Sequence, residues 1–122
     1  MAEQKTILIV DDDAEILNLL KIFLEEKNFN TLVAETGTRA IELSSQTPPD
    51  LMITDLLLPG MHGIDLVKTI KDQYHIPVIV ISGVYKGGEL SDFLESSYVD
   101  TYFIKPFKID QIYEELLSLL NE

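Results

Sequence analysis

Ile7-Leu8-Ile9-Val10-Asp11-Asp12-Asp13 sets four apolar residues directly before three carboxylates, and the chain repeats that order at Leu51-Met52-Ile53-Thr54, which ends at Asp55 before Leu56-Leu57-Leu58-Pro59-Gly60. An apolar run without alternation suits a central strand covered by helices on both faces. In an open parallel sheet the carboxyl ends of neighbouring strands converge on one crevice, so acids delivered by two distant strands meet in space. Such a cluster repels itself unless a cation sits in it, which points to Mg²⁺ and phosphate chemistry.

Outward from these two runs, strand-like and helix-like segments alternate. Thr6 to Val10 reads as a strand and Ala14 to Lys27 as a helix, with Ile16, Leu20, Phe23 and Leu24 at helical spacing. Asn28 suits the left-handed end of that helix, and Thr31-Leu32-Val33-Ala34 follows as a short strand. A helix over Thr38 to Ser45 is closed by Pro48-Pro49. After the strand Leu51 to Thr54 and a turn at Pro59-Gly60, a third helix is marked by Ile64, Leu66, Val67, Ile70 and Lys71. Pro77 then punctuates before the buried strand Val78 to Ile81. Gly83, Gly87 and Gly88 imply a mobile loop beyond it. Leu90, Phe93 and Leu94 give a short fourth helix, Thr101 to Ile104 a fifth strand, and Lys108 to Leu120 a last helix. The apolar stripe of that helix is Ile109, Ile112, Tyr113, Leu116, Leu117 and Leu120. Five strands alternating with five helices predict a parallel sheet with right-handed crossovers, hence a doubly wound α/β domain. No repeat, linker or low-complexity segment interrupts the pattern, and residues 1–122 are expected to form a single domain.

Composition narrows the function classes. With 122 residues, 46% of them hydrophobic, the chain is long enough for one core and too short for two. The formal net charge of −12, with no Lys/Arg-rich segment, argues against direct binding to a nucleic-acid backbone. Proteins, cations and small phosphorylated donors are the partners expected. The chain has no cysteine, so neither a disulfide framework nor a thiolate metal site can form. The apolar stretches are strand-sized, too short to span a bilayer, and the N-terminus lacks the apolar core of a signal peptide. A cytoplasmic location is therefore expected.

Four features fall at the carboxyl ends of strands one, three, four and five: Asp11-Asp12, Asp55, Ser82 and Lys105-Pro106. With the flanking motifs Ile7-Leu8-Ile9-Val10-Asp11-Asp12-Asp13, Pro49-Asp50-Leu51-Met52-Ile53-Thr54-Asp55-Leu56-Leu57-Leu58-Pro59-Gly60-Met61-His62-Gly63 and Phe103-Ile104-Lys105-Pro106-Phe107, the chain resembles the receiver domain of two-component response regulators over essentially its whole length. The resemblance implies the flavodoxin-like strand order 2-1-3-4-5. It also implies a site. Asp55 would be the phosphoacceptor, a carboxylate nucleophile whose acyl phosphate is reactive and reversible. Asp12 would be a direct Mg²⁺ ligand, Asp11 would hold the metal's waters, and Asp55 and the backbone carbonyl of Leu57 would supply further oxygens. Lys105 would set an ammonium against the phosphoryl oxygens, and Ser82 would donate its hydroxyl to one of them after transfer. Tyr102, three residues before the lysine, would turn inward as Ser82 shifts. A cis peptide is implied at Lys105-Pro106, an isomer that an X-Pro bond bears cheaply.

Plainer readings compete at several positions. Asp13 sits where a helix N-cap is favoured. His62 and His75 read as exposed loop residues. Tyr102 could be a half-buried edge-strand aromatic. Phe93, Tyr98 and Tyr102 could add aromatic anchors to the α4-β5-α5 face, which by resemblance is the output surface. The chain also departs from the common receiver pattern. The segment from Ser82 to Tyr102 is one residue longer than usual, and Tyr98 stands near the place where many receivers have glycine, implying a different turn or a strained backbone. Leu57 and Val84, two residues beyond Asp55 and Ser82, are apolar and cannot orient a water, so slow loss of phosphate is expected.

The expectation is thus a switch that takes a phosphoryl group on Asp55 from a histidine kinase or phosphotransferase with Mg²⁺ and then alters its α4-β5-α5 surface toward a downstream effector protein. It would catalyse only its own modification, as a monomer or a phosphorylation-dependent dimer. No effector domain follows Glu122 in this sequence, so a stand-alone receiver, a phosphorelay intermediate and an excised fragment are all compatible. The rival reading is a phosphorylation-independent pseudo-receiver that serves only for protein interaction. A phosphatase of the aspartate-nucleophile type normally needs a second Asp two residues after the nucleophile, where this chain has Leu57.

Overall fold

Alternating faces of the central strands each bury a separate apolar layer. The computed structural model describes residues 4–83 and 88–121. Within them run β1 (Thr6–Val10), α1 (Ala14–Glu26), β2 (Asn30–Ala34), α2 (Gly37–Gln46), β3 (Leu51–Thr54), α3 (Gly63–Tyr74), β4 (Val78–Ser82), α4 (Gly88–Leu94), β5 (Thr101–Ile104) and α5 (Ile109–Leu119). Every strand pair is parallel and the sheet order is β2-β1-β3-β4-β5.

Ile7, Ile9, Leu51, Ile53, Ile79 and Ile81 pack on one side against Leu17, Leu20 and Leu24 of α1 and Ile112 and Leu116 of α5. Leu8, Val10, Met52, Val78 and Val80 pack on the other side against Ala40 of α2, Leu66, Val67 and Ile70 of α3, and Phe93 and Leu94 of α4. The unbroken apolar runs therefore record a sheet sandwiched between two helical layers, and each fully buried side chain contributes about 1.5–3 kcal/mol.

Local chemistry sets the element ends. Asp13 caps α1 by accepting from Glu15 N–H at 2.9 Å. Asn28 follows that helix at φ 71°, and its side-chain oxygen accepts from Gln4 Nε2 at 2.8 Å. Thr36 caps α2 through Arg39 N–H. Observed boundaries lie within a residue or two of those expected from the sequence. Asn30 joins β2, for example, because it pairs with Thr6.

Two expectations need correction. Phe93 is no surface anchor: it is buried in the layer between the sheet and α3 and α4. Of the two alternatives at Tyr98, the strained backbone is the one that falls, since the non-glycine residues with positive φ among those described are Asn28, His75 and Asn121. The Tyr98 ring stacks on Phe93 at 6.1 Å, with Lys68 Nζ 5.7 Å from the ring centroid. The loop expected to be mobile lies largely outside the described residues, as does Val84. Among the described residues no helix is long and apolar enough to cross a membrane.

Candidate functional site

The parallel arrangement brings the ends of β1, β3, β4 and β5 to one edge of the sheet. Val10 pairs with Thr54, Thr54 with Val80, and Ser82 with Ile104, so the residues that follow these strands stand side by side. Asp55 continues the register, its N–H donating to Val10 O at 2.9 Å.

Asp55 is the hub, only 4% exposed. Its Oδ1 accepts from Ser82 Oγ at 2.7 Å and from Leu57 N–H at 3.0 Å, while its Oδ2 accepts from Lys105 Nζ at 2.8 Å. Lys105 also reaches Asp11, with Nζ 2.9 Å from Oδ2. Asp11 is fully buried, and its Oδ1 accepts from Asp13 N–H at 2.9 Å. Asp12 lies at the solvent side of the cluster, and one carboxylate oxygen from each of Asp11, Asp12 and Asp55 lies within 4.8 Å of the others. The peptide between Lys105 and Pro106 is cis.

The charges are unevenly matched. Three carboxylates cluster while the one ammonium of Lys105 contacts two of them, Asp11 and Asp55, and Asp11 Oδ2, though close to Lys105, makes no aligned hydrogen bond. Burial pushes the Asp11 carboxyl above its ordinary pKa; its contact with Lys105 and the Asp13 N–H oppose this, and the charge of Asp55 adds to it. For Lys105, burial works to lower the pKa, but its hydrogen bond to Asp55, its close contact with Asp11 and the negative charges of both raise it. The ammonium therefore persists at neutral pH.

This donor set fits a hard divalent cation. All three side chains offer oxygen, the buried Asp11 Oδ2 has an ion-pair contact but no aligned hydrogen bond, and the cluster opens to solvent through Asp12. Mg²⁺ favours such a site, since it takes a few carboxylates and keeps several waters. The Leu57 side chain is 57% exposed and its N–H is anchored to Asp55, which keeps this backbone segment beside the cluster.

All the acids and donors anticipated from the sequence thus meet in one place. Tyr102 does not join them. It lies on the outer face of β5, with its hydroxyl donating to Glu95 Oε1 at 3.4 Å, and Ile104 beside it is 52% exposed. His62 and His75 are exposed at the two ends of α3, apart from the cluster. One residue that sequence reading passes over is Thr54. It is buried next to Asp55, and its hydroxyl donates to Asp55 O at 2.8 Å. The available signal is a hydroxyl residue ending an otherwise apolar strand.

Comparison with known proteins gives the same picture. The family model described as the response regulator receiver domain matches residues 7–117. The chain is 36% identical over 118 residues to the DNA-binding response regulator MtrA of Mycolicibacterium paratuberculosis, an alignment covering 97% of this chain and 52% of that protein. It therefore spans about half the length of the curated relatives it matches. Among solved structures, a CheY-like response regulator receiver domain protein from Methanospirillum hungatei superposes with a TM-score of 0.90 at 28% identity, covering 98% of this chain and 95% of that one. A two-component response regulator from Clostridium difficile gives 0.89 at 28% identity, covering 98% of both chains.

Proposed function

The chain belongs to the response regulator receiver domain family of two-component signalling, and on that premise we propose that it takes a phosphoryl group on Asp55 from a histidine kinase or phosphotransferase, with Mg²⁺ held by Asp12, Asp55 and the Leu57 carbonyl and, through water, by Asp11. The observation that carries this reading is the environment of Asp55: a nearly buried carboxylate held by Ser82, Leu57 N–H and Lys105, beside two further acids.

A carboxylate oxygen of Asp55 attacks the phosphorus of a phosphohistidine donor. The new O–P bond forms as the P–N bond breaks, and the departing imidazole nitrogen takes a proton from water. Bound Mg²⁺ supplies positive charge to the phosphoryl oxygens. Lys105 supplies the rest, since its ammonium already stands at Asp55 Oδ2 and moves to the incoming phosphoryl oxygen over a short path. Ser82 makes the corresponding move from Asp55 Oδ1 to another phosphoryl oxygen.

These shifts reach the surface through the backbone. Ser82 O accepts from Lys105 N–H at 2.6 Å, so displacing Ser82 pulls on the end of β5, three residues beyond Tyr102. Tyr102 and Ile104 lie on the exposed side of that strand, where a changed α4-β5-α5 face would meet an effector protein. With a net charge of −12, this segment itself does not hold nucleic acid. The chain acts as a switch on itself and not as an enzyme with turnover, either as a monomer or as a dimer formed on phosphorylation.

Borohydride trapping tests the site. Reduction of an aspartyl phosphate converts the residue to homoserine, and peptide mapping after treatment with a phosphoramidate donor should place the change at position 55. Homoserine at 11 or 12, or at no position, would refute the assignment.

A further inference from the structure

A row of β-branched side chains crosses the sheet beside the nucleophile: Val10 on β1, Thr54 on β3 and Val80 on β4 occupy the same register. All three are fully buried. Valine on both sides shows that this layer accommodates the shape without the polar atom, and a buried hydroxyl is costly unless it is hydrogen-bonded. The Thr54 hydroxyl has its partner in Asp55 O at 2.8 Å.

That acceptor is the one group of Asp55 which no other contact described above restrains. Its N–H is held by Val10 O, its Oδ1 by Ser82 and Leu57, and its Oδ2 by Lys105. The Asp55 carbonyl lies beyond the last paired residue of β3, where the chain leaves the sheet for Leu56 and Leu57. Buried carbonyls at such points need a donor.

We propose that Thr54 is a positioning residue for the phosphoacceptor: its hydroxyl fixes the Asp55–Leu56 peptide plane and so sets both the direction of the Asp55 carboxylate and the place of Leu57. This rests on the reading of Asp55 as the phosphoacceptor. The residue touches neither donor nor metal and acts only through its neighbour.

Two substitutions separate the hydroxyl from the shape. Thr54→Val keeps the branched outline that Val10 and Val80 already show to fit, whereas Thr54→Ser keeps the hydroxyl and removes a methyl group. In the metal-free protein, amide exchange at Leu57 N–H, which donates to Asp55 Oδ1, should quicken on the order of tenfold in Thr54→Val, the scale of one net hydrogen bond. The unfolding midpoint should fall only by what the unpaired Asp55 carbonyl accounts for, and exchange in β1 and β4 should change by no more than that fall explains. Phosphorylation from acetyl phosphate at saturating Mg²⁺ should slow by about the same factor. Thr54→Ser should match the unsubstituted protein in both measurements. The proposal is overturned if Thr54→Val leaves Leu57 exchange unchanged, or if Thr54→Ser is impaired as much as Thr54→Val, which would assign the effect to packing. Failure of the unsubstituted protein to take phosphate would defeat the reading of Asp55, while the Leu57 exchange comparison would still decide the role of Thr54.

Discussion

Lys105 Nζ lies 2.8 Å from Asp55 Oδ2, a contact between residues 50 apart in the chain that depends on β3 and β5 both being parallel neighbours of β4. The same ammonium lies 2.9 Å from Asp11 Oδ2, so one cation serves two carboxylates from different strands. Lys105→Met should leave the fold intact and slow phosphorylation of Asp55 by on the order of 10²-fold, as loss of one preorganised charge donor does. Stopped reactions with acetyl phosphate and Mg²⁺, read by intact mass, would measure it. A rate within twofold of the unsubstituted protein would remove Lys105 from the mechanism.

Asp11 is expected to weaken the metal-free protein at neutral pH. Its pKa is raised above 3.8 chiefly by burial, so the folded chain binds this proton more readily than the unfolded chain does. The resulting stability is full below about 3.8 and is lost as pH rises through the folded value. Asp11→Asn should therefore raise the unfolding midpoint of metal-free protein at pH 7, with each kcal/mol gained worth about 4 °C for a domain of this size. The same variant should weaken Mg²⁺ binding on the order of 10–100-fold, because Asp11 would hold the metal's waters. Thermal melts with and without Mg²⁺ read both effects.

Gly63 opens α3 against the segment that follows Asp55. A Cβ at this position would lie 2.3 Å from Leu56 Cα, and Gly63 N–H donates to Leu56 O at 3.1 Å. The obstacle is backbone, not a flexible side chain. Gly63→Ala should cost about 1–3 kcal/mol, seen as a lower urea midpoint, and should also impair phosphorylation by displacing Leu56.

The lifetime of the phosphorylated form should be long. Leu57 presents an apolar side chain, 57% exposed, two residues beyond Asp55, and it offers water no hydrogen bond. Leu57→Asn should speed hydrolysis of the isolated phosphoprotein by about tenfold. Faster decay in the unsubstituted protein than in the variant would contradict this.

The fold and the acidic cluster are legible in the sequence because each depends on short-range pattern. Ile7 to Val10 and Leu51 to Thr54 announce central strands by their unbroken apolar character, and a parallel sheet then carries Asp11, Asp12 and Asp55 to a common edge. Asp13 reads as an N-cap for the same local reason. Other features depend on tertiary neighbours that no local pattern encodes. Phe93 in a short helix has the same apolar signature whether it faces solvent or the core, and only its place in the layer shared with α2 and α3 buries it. Tyr98 suggests a strained turn if glycine is taken as the reference, yet stacking on Phe93 and Lys68 accommodates the ring with an ordinary backbone. The Thr54 hydroxyl is invisible among β-branched residues until its acceptor is placed. Val84, the second apolar residue expected to lengthen the phosphate lifetime, lies outside the described residues, which leaves Leu57 as the described one.

Intact mass after exposure to acetyl phosphate and Mg²⁺, beside an Asp55→Asn control, decides whether Asp55 is the phosphoacceptor. One added phosphoryl group is expected in the unsubstituted protein, abolished by EDTA and absent from the control. No addition to folded protein would contradict that role and favour a phosphorylation-independent interaction module. Addition that survives Asp55→Asn would place the acceptor elsewhere.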